Sequence, residues 1–271
     1  MASSQARTNT ARWQTVALPT EHGGWGFISE PLLLGLLLAP TWGGLALAMM
    51  AFGAFLLRHP LKLVVKDRRK GRIVPRTLRA QQFVMLYGGV MLGAGGLVLL
   101  TLPPVPALIP LLLCAPLIGV QLWQDMQNKS RSLSAELAGA LATGAFASTL
   151  VMLGGWELPG ALALWLALAI KGATAVLYVR ARLRLEREQS HRSEQAIGAH
   201  WLGLVILIGA SVARLLPWTA PLAMLVLTLR AGLGLSAWHK PRPPKVIGFQ
   251  EIGYGLGFVL ALVIGYALAG M

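Results

Sequence analysis

The chain has 271 residues, 55% of them hydrophobic and only 13% charged, with a formal net charge of +14. Soluble domains carry about 25% charged residues, so this composition, with its mean hydropathy of +0.63, excludes an ordinary water-soluble fold. On a soluble surface the positive charge would point to nucleic acid. Here the basic residues sit in short segments between apolar runs, the pattern of a membrane protein that keeps its positive loops in the cytoplasm, and no nucleic acid is expected. Cys114 is the single cysteine and lies in an apolar run, which excludes a disulfide or a thiolate metal site.

Residues 1–17 are polar, small and without periodicity, and predict a flexible cytoplasmic N-terminus; residues 18–271 read as a single transmembrane helical domain. Leu18 to Gly26 mixes turn formers with Glu21 and His22, and Trp25 suits a membrane interface. A first span is expected over about 25–40. With many apolar runs downstream, it reads as a span and not as a cleaved signal. The second apolar run, Gly44 to Leu57, has only 14 residues, whereas a span needs about 20. Either the helix continues into Arg58, His59 and Lys62 or the pair forms a shallow hairpin. In a continued helix Arg58, His59, Lys62 and Lys66 share one face, and Pro60 is expected to kink it. A loop over 67–80 follows. Further spans are expected over about 82–101, 107–124, 134–153, 161–179, 199–215, 220–238 and 249–269. The run 134–153 is rich in alanine and glycine, which permits close helix packing.

This makes an all-α polytopic membrane protein of about nine transmembrane helices, with the N-terminus in the cytoplasm and the C-terminus outside. Of the 24 lysines and arginines, 21 fall in segments that this topology places inside, a bias that supports a multi-pass protein of the cell (inner) membrane. Most charges then have a simple explanation. Glu21, Glu30, Glu136 and Glu251 lie near helix N-termini and Arg58, Arg180 and Lys240 near C-termini, where the helix dipole favours each sign. Lys171, Arg230 and Glu30 lie deeper. Lys171 precedes Arg180 by nine residues, about 13 Å along a helix. An ionisable group inside a span costs at least about 2.5 kcal/mol without a partner or water. Lys171 and Arg230 could snorkel; the reading adopted is a polar cavity facing the cytoplasm. Lys171, Tyr178 and Arg182 share one helical face, and with Arg58, His59, Lys62, Lys66, Arg180 and Arg230 would suit a phosphate or diphosphate head. The five histidines make no H-x-x-x-H pair, so no metal site is expected. The Gly253-Tyr254-Gly255-Leu256-Gly257 run follows no strand and reads as a helix contact.

The order of these features resembles the UbiA-type prenyltransferase superfamily, whose nine helices carry aspartate motifs in the loops after the second and sixth. The resemblance implies a UbiA-like helical bundle and an isoprenoid diphosphate held through magnesium. In the corresponding segments here only Asp67 remains in the first and cations fill the second, so there is no magnesium motif. A closer resemblance is to the YwiC-like family of bacterial membrane proteins. Glu21-His22-Gly23-Gly24-Trp25 looks like that family's Glu-His-Gly-x-Trp signature, and Arg58-His59-Pro60-Leu61-Lys62 and Lys171…Tyr178-Val179-Arg180 look like its basic motifs.

The function expected is binding of an isoprenoid or other membrane lipid by its anionic head, without a cofactor, in a protein that resembles a divergent metal-independent prenyltransferase. Glu21, His22, Glu30 and Glu136 are the candidates for acid–base work or for a second substrate. Whether any reaction follows binding is left open, as is a homo-oligomer. The competing readings are a transporter or channel for a small anion and a non-catalytic membrane scaffold.

Overall fold

The structure, a computed structural model, describes residues 13–19, 22–71, 73–101, 104–127 and 129–270. Helices are the regular elements among the described residues, without a strand. In order they form α1 (Trp13–Ala17), α2 (His22–Leu38), α3 (Trp42–Arg69), α4 (Pro75–Leu100), a 3-10 turn at Val105–Leu108 leading into α5 (Ile109–Met126), α6 (Leu133–Leu153), α7 (Leu158–Leu185), α8 (Ser193–Val212), α9 (Thr219–Gly234) and α10 (Pro244–Ala269). Each of the nine expected spans has its helix, α2 to α10. Seven are long and apolar enough to cross a membrane: α3, α4, α5 with its leading turn, α6, α7, α8 and α10. The apolar parts of α2 and α9, Gly24–Leu38 and Thr219–Gly234, are shorter. Sixteen residues of helix reach only about 24 Å, less than the roughly 30 Å of a hydrocarbon core. Both short helices pack on α10.

Two helices overrun their apolar segments, which for the first decides between the continued helix and the shallow hairpin in favour of the continued helix. Helix α3 continues through Pro60 to Arg69, and α7 continues past Tyr178 to Leu185. Helix α4 begins earlier than expected, at Pro75. The expected loop 67–80 contracts because Asp67 ties the two helices together. It accepts from Thr77 Oγ1 at 2.8 Å and from Arg76 Nη2 at 2.7 Å, while Thr77 Oγ1 accepts from the Val74 amide and so starts the helix. Asp67, the one aspartate left in the segment where the UbiA-type resemblance places a motif, is 5% exposed and holds a helix junction.

Helix α6 is the most enclosed element. Its small residues, among them Ala138, Ala142, Gly144 and Ala147, are buried, and it packs on α2, α5 and α7. The largest core cluster gathers Leu34, Leu164, Leu207, Met224, Phe258 and Leu262 from α2, α7, α8, α9 and α10. A second joins Ile28, Leu47, Ala51 and Leu150. Helices α4 and α5 lie at the periphery and expose Leu92, Leu99 and Leu112. Residues 13–17, inside the stretch expected to be flexible, form α1; Val16 packs with Val64 of α3 and Ala80 of α4, because a completely buried valine gains more than its ordering costs. Residues 1–12 lie outside the described residues.

Candidate functional site

The charged residues separate into a buried group and a rim. The buried group starts on α7, where Lys171, Tyr178 and Arg182 form the shared face expected of them and are each less than a tenth exposed. Lys171 Nζ donates to Glu30 Oε2 at 2.5 Å, with both side chains almost wholly buried. Glu30 is set by α2, eight residues in from its start at His22. Helix α10 closes over the pair with Gly255: a Cβ there would overlap the Glu30 carboxylate and press on the Lys171 ammonium. Glycine is needed for contact, not for backbone freedom. Among the glycines of the 253–257 run, Gly253 and Gly257 face open space.

One turn before Gly255, Glu251 accepts from Arg230 Nη1 of α9 at 2.6 Å, with side chains 15% and 9% exposed. The Arg230 guanidinium lies 3.8 Å over the Tyr178 ring and 5.0 Å from that of Tyr254. Cation–π contact of this kind suits a desolvated arginine. Glu251 thus lies one turn from the Gly255 that covers Glu30 and Lys171, so the two ion pairs sit close together where α2, α7, α9 and α10 meet. His200 of α8 packs edge-on to Tyr178 and shares a 2.7 Å hydrogen bond between Nδ1 and the Ala196 carbonyl. Its Nε2 and the Arg230 Nε meet no hydrogen-bond partner among the described residues. Arg182 is committed elsewhere: it donates to the Gly234 carbonyl, which ends α9, and to the Lys240 carbonyl at 2.6 Å, and pairs with Glu186 at 2.6 Å. It locks the α9–α10 connection to α7.

The rim is built around the turn between α5 and α6. Arg58 of α3 donates Nε and Nη2 to the two oxygens of Asp125, at 2.5 and 2.8 Å. One turn later Lys62 Nζ donates to Ser130 Oγ at 3.0 Å. From the other side, Arg180 of α7 donates to the Arg131 carbonyl at 3.0 Å and to Glu136 Oε2 at 2.7 Å. The side chains of Arg58 and Arg180 are about a third exposed. Lys66, a turn beyond Lys62, is exposed, while His59 faces the other way and its Nε2 lies 3.2 Å from the Thr15 carbonyl. Helices α3 and α7 are separated by α6, which packs on both, so the two cationic faces meet only through consecutive residues of this turn.

Of the candidate acid–base residues, Glu30 and Glu136 are thus each paired with a cation. Glu21 lies outside the described residues, and for His22 only the backbone, the start of α2, is described. Trp25 of the same stretch donates to the Pro19 carbonyl at 3.3 Å and packs against Phe55. No group of three His, Cys, Asp or Glu side chains among the described residues could hold a metal ion. The carboxylates Asp125, Glu186 and Glu251 enter as partners that the sequence alone did not pair. The one available hint was that each buried cation needs a carboxylate, and Glu251 had been accounted for by the helix dipole.

Beside Glu30 lies a small crevice between α2, α6 and α7, with room for about one water molecule, walled by Phe27 and Pro31, Ala140, Thr143 and Gly144, and Leu168 and Gly172.

Long apolar helices, charges gathered at one end and neutralised ion pairs in the interior define an all-helical polytopic membrane protein. A family model described as YwiC-like protein matches residues 18–151. Over that part of its length the chain is similar to the YwiC-like family. The match takes in Glu21–Trp25 and Arg58–Lys62; Lys171 to Arg180 lie beyond it. No curated protein and no solved structure matches the chain.

Proposed function

We propose that the protein binds a membrane lipid or isoprenoid through its phosphate head at the rim formed by Arg58, Lys62, Lys66 and Arg180, with this end of the bundle facing the cytoplasm in the cell (inner) membrane. The N-terminus is then cytoplasmic and the C-terminus outside. The observation that carries the reading is the state of Lys62. Its ammonium is met by a hydroxyl, that of Ser130, whereas Arg58 and Arg180 on either side already hold carboxylates. A cation with no carboxylate partner among the described residues, beside two guanidinium side chains about a third exposed, suits a phosphate monoester or diphosphate. The anion is met directly by ammonium and guanidinium, and no divalent ion is required. Stabilising such a charge is also what departure of a diphosphate would need. That is as far as the UbiA-type resemblance extends here.

Lys171, Arg182 and Arg230, expected at the head of the ligand, are assigned instead to holding the bundle, and Tyr178 to seating Arg230. The test is native mass spectrometry of the full chain in detergent with added phosphatidic acid or farnesyl phosphate, using phosphatidylcholine as the control. Retained phosphate-monoester adducts are expected on the wild type with EDTA present, and their loss is expected in Lys62→Ala. Equal retention by Lys62→Ala, or adducts that appear only with magnesium, would remove the reading.

A further inference from the structure

We infer that Asp125 and Glu136 set the ligand class of the rim. Held on Arg58 and Arg180, they shut out singly charged phosphodiester headgroups and give way to the more highly charged phosphate monoesters and diphosphates. This rests on the rim reading proposed above and adds to it the means of choosing among anionic lipids.

A rim of bare cations would take any anionic lipid, because a guanidinium grips a carboxylate and a phosphate alike through parallel N–H donors. Here that grip is already in use. Arg58 holds both oxygens of Asp125 at 2.5 and 2.8 Å, and Arg180 holds Glu136 Oε2 at 2.7 Å. Asp125 lies in the last turn of α5, where the helix dipole disfavours a negative charge. Its helix gives no reason for an acid at this place; the pairing with Arg58 does.

A phosphodiester presents two free oxygens and one negative charge, the same equipment as a carboxylate. It must be immobilised on arrival, whereas Asp125 is already in place on the chain. Exchanging one for the other gains nothing, and the displaced carboxylate stays beside the newcomer as a like charge. A phosphate monoester carries about −1.5 to −2 at pH 7 and has three free oxygens. It can take the Lys62 ammonium, which meets the Ser130 hydroxyl and no carboxylate among the described residues, and still draw Arg58 or Arg180 toward it. The two carboxylates thus select chiefly by working against the wrong lipid.

The test is native mass spectrometry of the full chain in detergent with EDTA, offered phosphatidic acid and phosphatidylglycerol of identical acyl chains in equal amounts. The readout is the ratio of the two adducts, which a general loss of binding does not imitate. The wild type is expected to favour phosphatidic acid. Asp125→Asn keeps the side chain's shape and removes its charge. It should lower the ratio about tenfold by admitting phosphatidylglycerol, the weight of one hydrogen bond to a charged group. Glu136→Gln should shift the ratio the same way. Its pair is about a third exposed on both sides, so it decides the matter if Asp125→Asn does not fold. A wild type that retains both lipids equally, or an unchanged ratio in the folded variants, would overturn the inference and leave the rim reading standing. A wild type that retains neither lipid would remove both.

Discussion

The buried pairs and the rim use the same residue types to opposite ends. In the interior, Lys171 and Arg230 are each answered by a carboxylate, and Arg182 by a carboxylate and the backbone carbonyls of Gly234 and Lys240. Nothing is left over for a ligand's charge. At the rim, Arg58 and Arg180 are about a third exposed, and among the described residues Lys62 meets a hydroxyl and no carboxylate. The difference follows from solvent. A charge in the hydrocarbon region must be neutralised inside the protein, whereas one at the membrane surface is partly paid for by water and remains available. Cations placed deep in a membrane helix therefore identify what holds the bundle, and those at its end identify what it can bind.

That contrast breaks most readily from the inside. Lys171→Met leaves the Glu30 carboxylate buried without its partner, and a loss of about 3–5 kcal/mol is expected, seen as a large fall in melting temperature in detergent. The double variant Lys171→Met, Glu30→Leu should recover most of it, because an apolar pair of similar volume replaces a buried ion pair at little cost. A double variant no more stable than the single one would mean that the pair does more than neutralise itself. Gly255→Ala should cost about 1–3 kcal/mol by overpacking, since the added methyl presses α10 away from Glu30 and Lys171. Gly257→Ala on the same helix, facing open space, should be close to neutral.

The smaller effects lie toward the rim. Asp67→Asn keeps the shape but loses the charge that Arg76 and Thr77 serve; about 1–2 kcal/mol is expected, read from thermal unfolding. Lys62→Ala should change stability by no more than about 0.5 kcal/mol while abolishing the phosphate-lipid adduct. If Lys62→Ala instead destabilises the protein as Lys171→Met does, the division between rim and interior fails. Retention of the adduct should also fall with ionic strength, because exposed charges are screened beyond about 8 Å at physiological salt.

Composition and run lengths alone determined the helical membrane architecture and the places of α2 to α10, and narrowed α3 to a helix continued through Arg58 and Lys62 or a shallow hairpin, because the thickness of a bilayer dictates how much helix must be apolar. The 3.6-residue repeat was enough to put Lys171, Tyr178 and Arg182 on one face. Periodicity within one helix could not say what that face meets. Glu30 lies 141 positions from Lys171 in the chain, and only the packing of the short helices α2 and α9 on α10 brings Glu30 to Lys171 and Arg230 to Glu251. Nor could it foresee that α6 would keep α3 and α7 apart, which turns one expected cationic cavity into a neutral interior and a separate charged rim. Burial and pairing depend on the whole bundle, and so the choice between a charge that supports the fold and one that is free to bind was made by the tertiary structure.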